Sequence, residues 1–169
     1  MECASRYEWG LFGSLFFFAG VVGSIILTPF ADWIGRRKIL IIGLIIQALS
    51  MTALLLTKSP YLAYTLVFLI GLAVPPRQTV GFIYCMEFLP IKSTALATAI
   101  TLGIDNLGML WASLYFLYIS RDWQWFFMAG TVVSWFTLAW VCLLPESPQY
   151  LINKHKFDEA RKVLTTMAK

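Results

Sequence analysis

The chain has 169 residues, 59% of them hydrophobic, 16% aromatic and only 13% charged, with a net charge of +4. A soluble domain averages about 45–50% apolar and about 25% charged residues, so a water-soluble core is excluded and the chain belongs in a bilayer. The basic excess does not point to nucleic acid, because the lysines and arginines cluster at the ends of apolar runs, where membrane topology places them.

A spanning helix needs about 20 mostly apolar residues, and the sequence predicts five, at 9–30, 39–57, 61–88, 94–119 and 123–144. Ahead of the first, "MECASRYEW" lacks the basic and apolar regions of a cleavable signal peptide. The first span carries Gly20 and Ser24, a small-xxx-small pair that allows close helix contact. It also carries the aromatic burst "LFFF", expected to face lipid as does "WQWFF" at the start of the fifth. The connections "ADWIGRRK", "KSP", "LPIKS" and "SRDWQ" are short enough to join antiparallel neighbours and leave no room for a soluble domain.

Orientation follows from the two sets of loops. One side carries Arg36, Arg37, Lys38, Lys92, Lys154, Lys156, Arg161, Lys162 and Lys169, the other only Arg6, Lys58 and Arg121. The first side is expected to be cytoplasmic, which places the amino terminus outside and hints at an earlier span that precedes these five. Residues 145–169 turn polar, with Phe157, Ala160, Leu164 and Met167 at helical spacing and acids before bases, as a helix dipole favours. The fold class is therefore all-α integral membrane: five transmembrane helices and a short cytoplasmic amphipathic helical tail. Whether the membrane is the plasma membrane or an organelle's is left open.

Two ionisable residues fall inside spans, where each costs about 2.5–3.5 kcal/mol on insertion scales and needs a reason. Arg77 lies thirteen residues before Pro90, and Asp105 thirteen after Lys92. At 1.5 Å per residue both sit about 19 Å from the same surface, so an ion pair could join them. Thr94, Thr98, Thr101, Asp105, Gly108 and Ala112 share one helical stripe, and Arg77, Gly81 and Tyr84 another beside Gln78. Pro75 and Pro76 precede Arg77 and donate no backbone hydrogen bonds, which is tolerable at membrane depth mainly within protein or beside a wet cavity. Arg77, Gln78, Tyr84, Asp105 and Asn106 are the candidates for binding substrate or a proton. A pair would keep Asp105 ionised and occupy Arg77; apart, Arg77 favours an anionic group. A purely structural pair orienting two helices is the alternative.

Other chemistries have little support. Cys3, Cys85 and Cys142 lie far apart without a CxxC pair and read as small apolar side chains; His155, among lysines, is expected to be solvated. No Gly-rich phosphate loop and no nucleophile–base constellation is present, so neither an ATP-driven pump nor a membrane enzyme is expected. No cofactor or metal is implied.

The segment "GSIILTPFADWIGRRKIL" resembles the loop between the second and third helices of the major facilitator superfamily, G-x-L-A-D-R-x-G-R-R/K. Ala31, Asp32, Gly35, Arg36, Arg37 and Lys38 match; Thr28 replaces the leading glycine and Trp33 the basic residue after the acid. "YCMEFLPIKS" resembles the E-x-x-P-x-x-x-R segment of the sugar and organic-ion branches through Glu87 and Pro90, with Thr94 at the arginine position and Lys92 as its substitute. "PESPQYL", followed by "FDEARKVL", resembles the P-E-S-P-R-W/Y-L stretch after the sixth helix, with Gln149 for arginine.

The resemblance implies helices two to six of a twelve-helix transporter whose substrate path lies between two rocking halves. Helix one and the second half would come from the same longer chain or a separate subunit. It further implies conformational gating by Asp32, Gly35, Arg36, Arg37, Glu87, Lys92 and Glu146, and a central cavity faced by the stripes carrying Arg77 and Asp105. The expected function is a piece of a secondary transporter for a sugar or organic ion. The alternative is a short accessory subunit of a larger membrane assembly without transport of its own.

Overall fold

A computed structural model describes residues 6–89, 91–119, 122–158, 161 and 165, with side chains for these except at 6–9, 91, 92 and 109. The described residues form helices α1 (Arg6–Ile34), α2 (Arg36–Leu56), α3 (Pro60–Pro75), α4 (Gly81–Met86), α5 (Ile91–Leu114), α6 (Trp123–Leu143) and α7 (Pro148–Asn153). A π-helical turn, Pro76–Val80, joins α3 to α4 within one rod, and a second, Tyr115–Ile119, ends α5. Five of these rods are long and apolar enough to cross a membrane. Phe17, Phe18, Trp125 and Phe136 are exposed on their outer faces, as a lipid solvent requires.

Local chemistry sets the breaks. α1 continues through Asp32 to Ile34, so the "ADWIGRRK" corner is a single residue, Gly35, with φ at 121°. Pro60 and Pro148 start α3 and α7, where their fixed φ suits a first helical turn and no N–H is missed. Ser147 caps α7 by accepting a hydrogen bond from the Tyr150 N–H at 3.3 Å.

α1 lies against α3, and α2 sits between α3 and α6. The α1–α3 approach sets Ala19 and Gly20 against Gly71, whose missing side chain lets the Phe16 carbonyl come close, and Gly23 against Leu72 and Pro75. Ser24 is exposed, so the small pair expected at Gly20 and Ser24 is corrected to Ala19 and Gly23 on the adjoining stripe. Leu40, Leu44, Tyr84, Leu138 and Val141 form the main buried cluster where α2, α4 and α6 meet. In contrast, no described side chain of α5 is buried. Of the amphipathic face expected in the tail, Phe157 is exposed, while Ala160, Leu164 and Met167 lie outside the described residues.

Candidate functional site

Two groups of polar residues stand out, one at the Gly35 end of the bundle and one at mid-depth. At the Gly35 end, α1 reverses into α2 on one positive-φ glycine. A Cβ there would lie 2.9 Å from Glu146 Oε2, so the glycine is needed for space as well as conformation. Because the turn is so tight, Arg36 and Arg37 are carried straight to the ends of α4 and α6. The Arg37 backbone N–H donates to Glu146 Oε1 at 2.9 Å, and its Nη2 donates to the Cys142 carbonyl at 2.5 Å.

Arg36 forms an ion pair with Glu87, both side chains being nearly buried at 17% and 13% exposure. A second contact, to Asp32 at 3.5 Å, involves a carboxylate that is 71% exposed. The solvent-screened Asp32 contact contributes little, and the Glu87 pair is the main electrostatic bond. Glu87 also accepts a hydrogen bond from the Ser147 hydroxyl, and the Tyr84 hydroxyl donates to the Pro145 carbonyl. The Tyr150 hydroxyl closes the ring by donating to the Trp33 carbonyl at 3.3 Å. The result is a polar latch joining the α1–α2 corner, the end of α4 and the α6–α7 linker. Six of the seven gating candidates, Asp32, Gly35, Arg36, Arg37, Glu87 and Glu146, are gathered in it; the side chain of Lys92 is outside the described residues.

At mid-depth the double proline shapes the second group. Neither Pro75 nor Pro76 can donate to the carbonyl one turn earlier, and the helix opens into the π turn Pro76–Val80. Pro76 is buried against Gly43 and Pro75 lies beside Gly23. With the prolines packed inward, Arg77, Gln78 and Thr79 are exposed. Arg77 borders a cavity of about 460 Å³ whose other walls include Phe12, Phe16, Gln47, Met51 and Phe127.

The remaining candidates are placed elsewhere. Asp105 and Asn106 are exposed on α5, and Asn106 Nδ2 donates to the Leu102 carbonyl of its own helix at 2.7 Å. Among the described residues neither Arg77 nor Asp105 enters an ion pair, so the two stand apart. Tyr84 lies seven residues beyond Arg77, about 10 Å along the helix, and its hydroxyl belongs to the latch. Two residues outside the candidate set take part. Gln47 is buried and donates from Nε2 to the Ser134 Oγ at 3.0 Å across α2 and α6; the cue was an amide inside an apolar run. Ser147 is fully buried at the latch, and only its partners, not its spacing, reveal that role.

The chain matches the sugar (and other) transporter family over residues 1–169. It is 28% identical over 176 residues to solute carrier family 22 member 2 of Rattus norvegicus, covering 100% of this chain and 30% of that protein. With solute carrier family 22 member 16 of Homo sapiens it is 29% identical, covering 100% and 29%. With the human organic cation/carnitine transporter 2 it is 28% identical, covering 100% and 30%. The chain thus spans about 30% of the length of these relatives. A match along all 169 residues, together with five membrane-length helices, places this multi-pass integral membrane chain in the sugar (and other) transporter family.

Proposed function

We propose that this chain forms part of a secondary active transporter that moves a small organic solute by alternating access. The observation that carries the reading is the latch. Arg36 with Glu87 and Arg37 with Glu146 tie three separate chain segments together at one end of the bundle, through contacts that can break and re-form as units. An ionic clasp of this kind suits a protein with two discrete arrangements, because it stabilises one and is absent from the other. Tyr84, Ser147 and Tyr150 belong to the same clasp, which the distribution of basic residues puts on the cytoplasmic side.

The substrate path is assigned to the mid-depth segment Arg77–Gln78, with Asp105 and Asn106 on α5 facing the same path. The relatives support an organic solute in general terms. Helix one and the opposing half are assigned to the remainder of the transporter, in the same longer chain or in a separate subunit. The nearly bare surface of α5 favours such a neighbour.

The test is to recover the native protein from its source membrane with an antibody against residues 154–169, determine its mass, and measure solute uptake by cells that make it. A species well above twice the 19.2 kDa of this chain, or a stable complex of that size, with uptake lost in Glu87→Ala, is the expected result. A lone 19.2 kDa species without uptake would overturn the transporter reading and favour an accessory role.

A further inference from the structure

We propose that Ser147 is a phosphorylation site for a proline-directed protein kinase, closed to the kinase while the latch is shut and holding the latch open once modified. The proposal rests on the transporter reading for its purpose and concerns regulation of the same latch. Residues 145–148 read Pro-Glu-Ser-Pro, and of the Ser–Pro and Thr–Pro pairs in the chain this one alone has a proline two residues before the hydroxyl. A kinase of this class takes an extended acceptor segment and favours proline just after the acceptor, where a missing N–H leaves nothing to satisfy in its groove. The segment from Leu144 to Ser147 is non-helical, with φ −75° and ψ 147° at Leu144 and φ −59° and ψ 129° at Ser147. A proline follows each of these two residues and restrains it to that extended region. The distribution of basic residues puts the segment on the cytoplasmic side, where kinases and ATP are found.

The hydroxyl itself is shut away. Ser147 is 0% exposed, its hydroxyl donates to Glu87, and its Oγ accepts from the Tyr150 N–H at 3.3 Å. Glu87 is paired in turn with Arg36, and Glu146 Oε1 accepts from the backbone N–H groups of Arg37 at 2.9 Å and Ser147 at 3.3 Å. A kinase therefore reaches Oγ only after the end of α4 and the α6–α7 linker have parted.

Transfer of the γ-phosphoryl group of ATP forms a P–O bond to Oγ, breaks the bond to ADP, and passes the hydroxyl proton to the kinase's base. The product carries a charge of about −1.5 to −2 at pH 7 and three further acceptor oxygens. Its Oγ has no hydrogen left for Glu87, and the phosphoryl group needs space that a fully buried side chain lacks. Acceptor would face acceptor, and anion would face anion, across the contact that ties α4 to the linker. Modification and the shut latch therefore exclude each other: whatever opens the latch speeds modification, and modification holds the open arrangement.

The experiment treats the chain in nanodiscs with an active mitogen-activated protein kinase and Mg-ATP, and locates the phosphate by mass spectrometry. Phosphate is expected on Ser147, with an initial rate in Glu87→Ala and in Arg36→Gln about tenfold or more above that of the unaltered chain, the scale of one charge-assisted hydrogen bond. Pro148→Ala should lose the label. Hydrogen exchange reads the latch itself. After modification, segments 35–39 and 147–151, which hold the Arg37 and Tyr150 N–H groups, should exchange faster while 44–52 stays unchanged. Unchanged exchange over 44–52 in the two variants shows that their faster labelling is not unfolding. No label on Ser147 in any of these chains, equal rates with and without the Arg36–Glu87 pair, or a modified chain in which Arg37 and Tyr150 keep their protection would each overturn the proposal. None of these readouts needs transport. Labelled Ser147 and a released latch, without solute uptake by cells making the native protein, would sink the transporter reading and leave the switch standing. Uptake with Ser147 unlabelled in every chain would do the reverse.

Discussion

A Cβ built on Gly43 would lie 2.7 Å from the Pro76 Cβ, so the second proline of the pair occupies the space that α2 leaves by having no side chain there. The relationship is reciprocal. Pro76 needs a partner surface because its ring replaces a hydrogen-bonded turn, and Gly43 costs α2 helix propensity unless something fills the gap. Their contact directs the next residue, Arg77, away from the packed interior.

Gly43→Ala is accordingly expected to destabilise the chain by about 1–3 kcal/mol, the cost of overpacking a close contact. The control is Gly103→Ala in α5, where an added Cβ meets nothing within 4 Å. There the same substitution should be neutral or stabilising by about 0.5–1 kcal/mol, because alanine favours the helix. Thermal unfolding in detergent, followed by tryptophan fluorescence, gives both numbers, and equal effects at the two sites would remove Pro76 from the explanation.

This contact also marks where the sequence stopped being informative. Five apolar runs, short connections and the Asp32–Lys38 corner are local patterns, and each is legible because hydropathy, glycine turns and proline breaks act within a few residues. Asp32, Gly35, Arg36, Arg37, Glu87 and Glu146 were legible through motif order, yet the partners Glu87–Ser147 and Tyr84–Pro145 bridge about sixty residues of sequence, which no local pattern encodes. Residue counts give Arg77 and Asp105 one expected depth, but depth does not fix azimuth, and the π turn before Gly81 is invisible in composition. Gly23 and Gly43 look like ordinary glycines in apolar runs until the prolines opposite them are seen.

The Arg36–Glu87 pair should dominate the latch energetically. Removing one partner leaves a nearly buried charge alone, so Arg36→Ala and Glu87→Ala are each expected to cost in the lower part of about 3–5 kcal/mol. In the double variant the charge is gone on both sides, and a coupling of about 0.5–3 kcal/mol should appear in the cycle. Asp32→Asn, whose carboxylate is 71% exposed, should cost about 0–1 kcal/mol. Additive losses at Arg36 and Glu87 would show that the two do not act as a pair.

Gly35 carries two demands at once. Its φ of 121° with ψ of 140° lies in territory nearly reserved for glycine, and strain there costs about 1–3 kcal/mol. A methyl group would also push Glu146 off the Arg37 N–H. Gly35→Ala should therefore lose more in the wild-type background than in Glu146→Ala, where the second demand has vanished. Unfolding midpoints of the two singles and the double variant decide it, since strict additivity would leave backbone strain as the only cause.

Gln47 and Ser134 form a buried bond across α2 and α6, beside a second bridge from Trp135 Nε1 to Thr52 Oγ1 at 3.1 Å. Interhelical hydrogen bonds in a bilayer average only about 0.6 kcal/mol when measured by cycles. An abandoned buried donor costs more, about 1–3 kcal/mol. Ser134→Ala leaves Gln47 Nε2 with only the Met51 sulfur at 3.9 Å, so a loss of about 1–2 kcal/mol is expected. Adding Gln47→Leu removes the orphaned amide and should restore most of that stability, making the double variant more stable than Ser134→Ala alone. A double variant less stable than both singles would mean that the amide is held by the cavity side as well, and that Gln47 works there independently of Ser134.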